Sequence, residues 1–318
     1  MSRDPSTFEE PIIELTARLE GLRAQAPSLK VEKEIEKLEQ KRSKLQKEVF
    51  GGLTDWQRCL VARHPKRPYT REYIEYLCPD FEELHGDRRF SDDPAIMAGF
   101  GTLGDRQVCL IGHQKGKDMK QKLHRNFGMP RPEGYRKALR VMHLAEKFGR
   151  PIICFIDTPG AYPGIDAEER GQGEAIAFNL RAMATIKVPI LVNVIGEGGS
   201  GGALALGVGD HICIFQNAIY SVISPEGCAS ILWKDATQMA SAAEALHLTA
   251  EKLAKLGLVD RVLEEPPGGA HDNPRQMYAT LAAHLQEQLA YQDTVSVANR
   301  LEARYQKFRA MGSYIQAG

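Results

Sequence analysis

The stretch from Pro189 to Asp210, PILVNVIGEGGSGGALALGVGD, carries a continuous apolar run into glycines and one serine, then resumes in small helix-forming residues. That order reads as a buried strand, a tight turn and the start of a helix. Glycine lets the backbone take positive φ and approach another molecule closely, and a helix start presents N–H groups without carbonyl partners at its positive end. Such a place takes anionic oxygen. The design recurs from Pro151 to Gly164, PIICFIDTPGAYPG, ahead of a helical pattern that begins near Asp166. Two strand–turn–helix units side by side can aim two sets of backbone N–H groups at one point, which is how an oxyanion hole is built.

Gly198 to Gly202 also satisfy G-x-S-x-G between a strand and a helix, the setting of a serine nucleophile elbow at Ser200. A triad would need a histidine and a carboxylate, drawn from His211, His247, His271 and His284 with Asp210, Asp235, Asp260 and Asp272. None stands in a diagnostic setting: His211 runs straight into an apolar strand and His271 lies in a linker. A dinucleotide fingerprint is matched only loosely, with no acidic residue ending the next strand. A purely structural glycine turn is the remaining reading.

Between His113 and Arg131, HQKGKDMKQKLHRNFGMPR gathers six cations (Lys115, Lys117, Lys120, Lys122, Arg125 and Arg131) against the single acid Asp118. Such a loop suits the phosphates of a nucleotide-like ligand, although a solvated surface loop has the same composition. The following NFGMPRPEGYRKALRVM is too specific for a linker yet names no ligand.

These motifs sit in a chain of 318 residues, 43% apolar and 26% charged, enough for one large domain or one domain with an appendage. Forty-one basic side chains balance 41 acidic ones, so no global field draws the chain to nucleic acid or an anionic membrane. The start, MSRDPSTFEEP, shows no secretory or transit signal, and no apolar run reaches spanning length; a cytoplasmic location is the expectation. The cysteines (Cys59, Cys78, Cys109, Cys154, Cys213 and Cys228) are scattered without a C-x-x-C pair. They read as reduced core thiols, and no metal site is expected.

The elements that position the motifs follow from periodicity. Stripes at Ile12, Leu15, Leu19, Leu22 and at Val31, Ile35, Leu38, Leu45, Val49 predict a helical hairpin over residues 1–52, broken at Ala26-Pro27-Ser28. A short helix capped by Thr70 follows, then a β-hairpin of Ala95–Leu103 and Gln107–Gly112 around Gly104-Asp105. Helix Glu133–Phe148, strand Pro151–Ile156, helix Ala167–Ile186, strand Ile190–Ile195, two strand-like runs through His211–Ile223, a helix capped by Thr249 and a strand in LVDRVLEE complete residues 53–265. Strands alternating with helices predict an α/β fold with a mostly parallel, doubly covered sheet. Residues 266–318 hold the linker PPGGAHDNP and a helical tail from about Arg275 to Met311.

Taken in order, GHQKGKD, NFGMPRPEGYRKALR, FIDTPGAYPG, EERGQGEAIA, NVIGEGGSGGALALGVGD and YSVISPEGCASILWKD resemble the α-subunit family of bacterial-type acetyl-CoA carboxylase carboxyltransferases. The resemblance implies a crotonase-like fold of ββα superhelical units. It also implies transfer of a carboxyl group from carboxybiotin, borne on a biotin carboxyl carrier protein that biotin carboxylase charges, to acetyl-CoA, giving malonyl-CoA for fatty acid biosynthesis. A separate β subunit with a cysteine zinc ribbon would hold the acetyl thioester in an α2β2 assembly, with which the missing C-x-x-C pairs agree. In such a reaction the biotin ureido oxygen takes up negative charge and the released nitrogen can remove the acetyl proton, so the protein needs donors and placement rather than a nucleophile. The resemblance therefore assigns Gly201, Gly202 and the neighbouring Ala203 to the oxyanion site and Gly160 and Ala161 to the opposing wall. Gly198, Gly199, Tyr162 and Pro163 border the cofactor, and Lys117, Lys120, Lys122 and Arg125 meet CoA phosphates. A side chain at Gly202 is expected to stand in the path of biotin without unfolding the chain.

Overall fold

The computed structural model describes residues 8–26 and 28–312. Eight strands form one sheet: β1 (Glu82–Glu83), β2 (Ile96–Leu103), β3 (Arg106–His113), β4 (Ile152–Thr158), β5 (Ile190–Gly199), β6 (His211–Phe215), β7 (Ile219–Ser221) and β8 (Arg261–Leu263). The spatial order is β1-β2-β3-β4-β5-β6-β8, and β7 pairs with the far end of β5. β1, β2 and β3 pair antiparallel, whereas β3 onward runs parallel. Every residue of β4 is buried, as expected where both faces of a parallel sheet are covered.

The covering follows from strand alternation. Gly112 and His113 point to opposite faces of β3. A Cβ at Gly112 would lie 2.6 Å from the Thr70 methyl, so helix Thr70–Leu77 packs on that face. A Cβ at Gly134 would lie 3.0 Å from Ile96, the partner of His113, so helix Pro132–Lys147 packs on the other. Helix Gln172–Thr185 lies beside Pro132–Lys147. Helix Pro274–Asp293 joins the Thr70 side, with Tyr278 edge-on to the fully buried Tyr73 at 5.0 Å between ring centroids.

The helical hairpin is present as Glu10–Arg23 and Leu29–Gly51, pinned by Arg18–Glu34 at 2.6 Å and Arg23–Glu39 at 2.5 Å. Pro27, inside the expected break, lies outside the described residues. Its apolar seam closes on Val61 through Ile12, Phe50 and Leu53. The tail is two helices, Pro274–Asp293 and Val297–Ala310, and it is built into the main core through Met277, Leu281, Leu285 and Leu289. Arg304 is 1% exposed; it grips Asp210 at 2.9 and 2.7 Å and the carbonyls of Met183, Ile186 and Val188.

Several expectations are corrected. Thr70 does not cap its helix: its hydroxyl donates to His113 O, and Glu72 accepts the Tyr69 N–H at 2.8 Å instead. The helix expected over Ala167–Ile186 breaks into Ile165–Glu169 and Gln172–Thr185 at Gly171, whose φ is 81°. β5 does not stop at Ile195 but continues through the glycines to Gly199. The six cysteines are buried and unpaired; burial pushes the Cys154 thiol up to about 12, so that thiol is not nucleophilic at neutral pH.

Candidate active site

β4 and β5 run parallel with Thr158 opposite Gly198, so the two Gly-rich turns leave the same edge of the sheet side by side. They interlock. A Cβ at Gly199 would lie 2.1 Å from Pro159 O, and one at Gly202 would lie 2.5 Å from the Gly160 carbonyl carbon and 2.6 Å from Ala161 N. Glycine is required at these two positions so that one backbone can lie against the other. At Gly202 the atoms a side chain would meet belong to the opposing turn. None of the glycines from 198 to 202 has positive φ; that conformation falls on the exposed Ser200, at 49°. Gly160 has φ of 152° and open space where a Cβ would project.

The donors can now be sorted. Helix Ser200–Leu204 has only five residues, so its dipole is slight, but the Gly201 and Gly202 N–H groups fall in its first turn, where no carbonyl of the helix reaches them. Ala203 is fully buried behind them. On the opposing wall, Gly160 N–H is already bonded to Thr158 Oγ1 at 3.1 Å, which removes it as a donor. Ala161 N–H has no acceptor among the described residues. Next to it, Tyr162 N–H donates to Pro130 O at 3.0 Å, and Gln172 bridges Pro130 O and Tyr162 O at 2.9 Å each. Arg131 stacks over the Tyr162 ring at 4.7 Å, and Pro163 is exposed beyond it. The NFGMPR segment thus serves as a brace for the PGAYPG turn.

Below the turns lies an ion network that sequence reading did not anticipate. Lys115 Nζ reaches Asp157 at 2.7 Å and Glu197 at 3.4 Å; Arg63 reaches Glu197 at 2.6 Å and Glu226 at 2.5 Å. Burial opposes the charge on Lys115, but Asp157 and Glu197 outweigh it and hold the ammonium above its ordinary pKa. Burial likewise raises Glu197, yet Lys115 and Arg63 pull it below the carboxylate range. Lys115 and Glu197 therefore both stay ionised. Asp157 also accepts the Glu197 N–H at 3.0 Å, locking β4 to β5 immediately before both turns. His113 secures the helix side: its Nε2 lies 3.1 Å from Gly202 O, and burial lowers its pKa to about 3, so a neutral ring donates there.

The basic loop divides by role. Lys115 is structural, and Lys117 lies over the Tyr69 ring while bonding Arg67 O at 2.8 Å and Glu72 at 3.0 Å. Arg125 donates to Pro94 O at 2.7 Å, and burial lowers its pKa. Lys120, exposed, and Lys122, half-buried, stand on helix Met119–His124, whose chain folds back over Gly116. No serine triad forms among the described residues. Asp210 is taken by Arg304, Asp260 by Lys307, His211 packs on His284, and His271 lies against Glu9 on the hairpin. Beside Ser200 and Gly201 opens an apolar cavity of about 370 Å³, walled by Leu204, Tyr220, Val222 and Phe308. No described helix is long and apolar enough to cross a membrane.

Comparison with known proteins places this arrangement. The chain is 56% identical over 307 residues to the acetyl-coenzyme A carboxylase carboxyl transferase subunit alpha of Pseudomonas entomophila, covering 96% of this chain and 98% of the relative. The same-named protein of Xanthomonas axonopodis pv. citri is 55% identical over 309 residues, covering 96% and 97%. Among solved structures, a chain of a Pseudomonas malonate decarboxylase hetero-tetramer in complex with coenzyme A matches with TM-score 0.58 at 17% identity, over 76% of this chain and 95% of that one. Transcarboxylase 12S matches with TM-score 0.55 at 20% identity, over 71% and 44%. These likenesses bear out the crotonase-like fold. A family model described as acetyl co-enzyme A carboxylase carboxyltransferase-like matches residues 5–312, and the chain belongs to that family.

Proposed function

We propose that the chain is the α subunit of an acetyl-CoA carboxylase carboxyltransferase, which holds carboxybiotin for carboxyl transfer to acetyl-CoA, giving malonyl-CoA. The observation that carries this reading is the interlocked pair of turns. Ala161, Gly201 and Gly202 offer backbone N–H groups without an acceptor at the two turns, while among the described residues no histidine or carboxylate is bonded to Ser200. Fixed donors without a nucleophile suit a reaction whose charge develops on the ligand. Biotin, when bound, supplies the ureido ring that takes up this charge; the turns orient it, and His113 and the Lys115–Asp157–Glu197–Arg63 network hold the turns.

The thioester half of the reaction belongs, on this reading, to a zinc-ribbon β subunit in an α2β2 assembly, with the biotin carrier and biotin carboxylase as further partners. The exposed apolar side chains Ile165, Val222, Ile231 and Leu232 are candidates for such contacts. On this reading Lys120, exposed, and Lys122, half-buried, meet the CoA phosphates. The test mixes purified chain with the zinc-ribbon partner and follows conversion of malonyl-CoA and a biotin derivative to acetyl-CoA. Activity is expected only in the mixture; robust transfer by the chain alone overturns the proposal. Labelling of Ser200 by a fluorophosphonate would instead indicate a serine hydrolase.

A further inference from the structure

Far from the glycine turns, three segments distant in sequence converge. Glu9 precedes the first hairpin helix, His64 belongs to the HPKRP turn and His271 to the GGAHDNP linker. His64 Nε2 lies 3.6 Å from one Glu9 carboxylate oxygen and His271 Nε2 lies 3.6 Å from the other. The three ligating atoms all fall within 4.8 Å of one another, and the two imidazole rings stack at 3.8 Å between centroids. Glu9 is 5% exposed.

The spacing is informative. At 3.6 Å these atoms are too far apart for hydrogen bonds, and Glu9 Oε1 and His271 Nδ1 are buried without any partner. Buried polar atoms are rarely left so. Ligands at about 2.0–2.2 Å from a tetrahedral zinc stand roughly 3.3 Å apart, so the three ligating atoms, now within 4.8 Å of one another, would have to close around a shared ion by side-chain rotation. Two imidazole nitrogens and a carboxylate oxygen are a donor set for a divalent transition metal. Burial lowers His64 to about 4 and His271 to about 3, leaving both rings neutral. Two features oppose binding: burial, with Asp272 nearby, pushes the Glu9 carboxyl up to about 7, so a metal must displace its proton; and His64 Nδ1 accepts the Lys66 N–H at 3.2 Å, a bond lost when a metal on Nε2 moves the ring proton to Nδ1. At 3.2 Å that bond lies at the long end of the hydrogen-bond range. A cavity of about 430 Å³, walled also by Arg42, Gln46 and Asp272, leaves room for a further ligand.

We propose that Glu9, His64 and His271 form a site for one divalent transition-metal ion of the zinc class, which clips the N-terminal hairpin and the 266–273 linker to the HPKRP turn. The proposal is independent of the carboxyltransferase reading. It is tested on the full chain, stripped with chelator and titrated with Zn²⁺ by calorimetry, with Co²⁺ as a spectroscopic probe. One equivalent is expected, with a cobalt spectrum of nitrogen and oxygen ligation that lacks a thiolate band, and a melting temperature raised by zinc. His64→Gln and His271→Gln should each weaken zinc by about 100-fold or more and abolish the thermal shift. Glu9→Gln, which keeps the size of the side chain, serves where a histidine variant fails to fold. Failure of wild type to bind zinc at micromolar concentration, equal binding by the variants, or a thiolate spectrum each overturns the site.

Discussion

Replacing Gly202 by alanine tests whether the two turns must touch. The added Cβ would meet the Gly160 carbonyl carbon at 2.5 Å, Ala161 N at 2.6 Å and Gly160 Cα at 3.0 Å. Resting carbon contacts lie at about 3.5–4.0 Å, and the obstructing atoms are backbone, so the turns must part by about 1 Å. Overpacking of this kind costs about 1–3 kcal/mol, and at about 2–4 °C per kcal/mol the melting temperature falls by roughly 2–12 °C. A side chain at Gly202 is thus expected to lower stability without unfolding the chain. Displacing a positioned group by about 1 Å costs about 10²-fold, and losing one oxyanion donor about 10²–10³-fold; kcat should fall by about 10²-fold while the chain remains folded at 25 °C. Gly201→Ala is the control, because its Cβ would find only the Ile176 side chain at 3.5 Å; it should lose less than about tenfold. The assay is carboxyl transfer between malonyl-CoA and a biotin derivative in the reconstituted mixture, read beside a circular dichroism melt. Equal kcat for the two variants, or a Gly202→Ala enzyme within threefold of wild type, refutes the reasoning.

Lys120→Ala combined with Lys122→Ala should raise KM for malonyl-CoA several-fold and leave that for biotin unchanged; unaltered constants would make the loop plain surface. Arg67→Met removes the partner of the buried Glu265, which it contacts at 2.9 and 2.6 Å, and should cost about 3–5 kcal/mol in denaturant unfolding. Arg23→Ala, from the exposed pair with Glu39, should cost no more than about 1 kcal/mol; similar losses would contradict the assignment. For pH, His113 has its folded pKa lowered from 6.5 to about 3 by burial. The unfolded chain then binds the extra proton between those values, so stability falls as pH drops through that window, by up to about 1.4 kcal/mol per pH unit. His113→Gln should flatten the slope by one proton, measured from unfolding curves between pH 6.5 and 4; an unchanged slope would mean the ring is charged in the folded protein.

The alternation of apolar runs with helical periods was enough to read β2 to β6, the hairpin and an α/β fold with a mostly parallel sheet, because a buried parallel strand must be apolar along its length and an amphipathic helix must repeat near 3.6 residues; the crotonase-like class came from the family resemblance. The two glycine turns were legible for a similar reason: few backbones other than one leaving a buried strand need so many residues without a Cβ. Periodicity was silent on the short helices Asp55–Ala62, Pro225–Leu232 and Met239–Ala245, each about two turns long and too brief to display a stripe. It was equally silent on which N–H groups remain free. Thr158 Oγ1 takes the Gly160 donor through a local bond, and Gly202 owes its residue type to a turn forty residues upstream. Charge followed the same division. Six cations in one loop marked a basic patch, but Lys115 is spent on Asp157 and Glu197 and Lys117 on Glu72, since partners are chosen by parallel strand pairing and not by spacing along the chain. Glu9, His64 and His271 carry no motif for the same reason: only the folding of the hairpin and the linker onto the sheet brings atoms 55 and 207 positions apart within 4.8 Å.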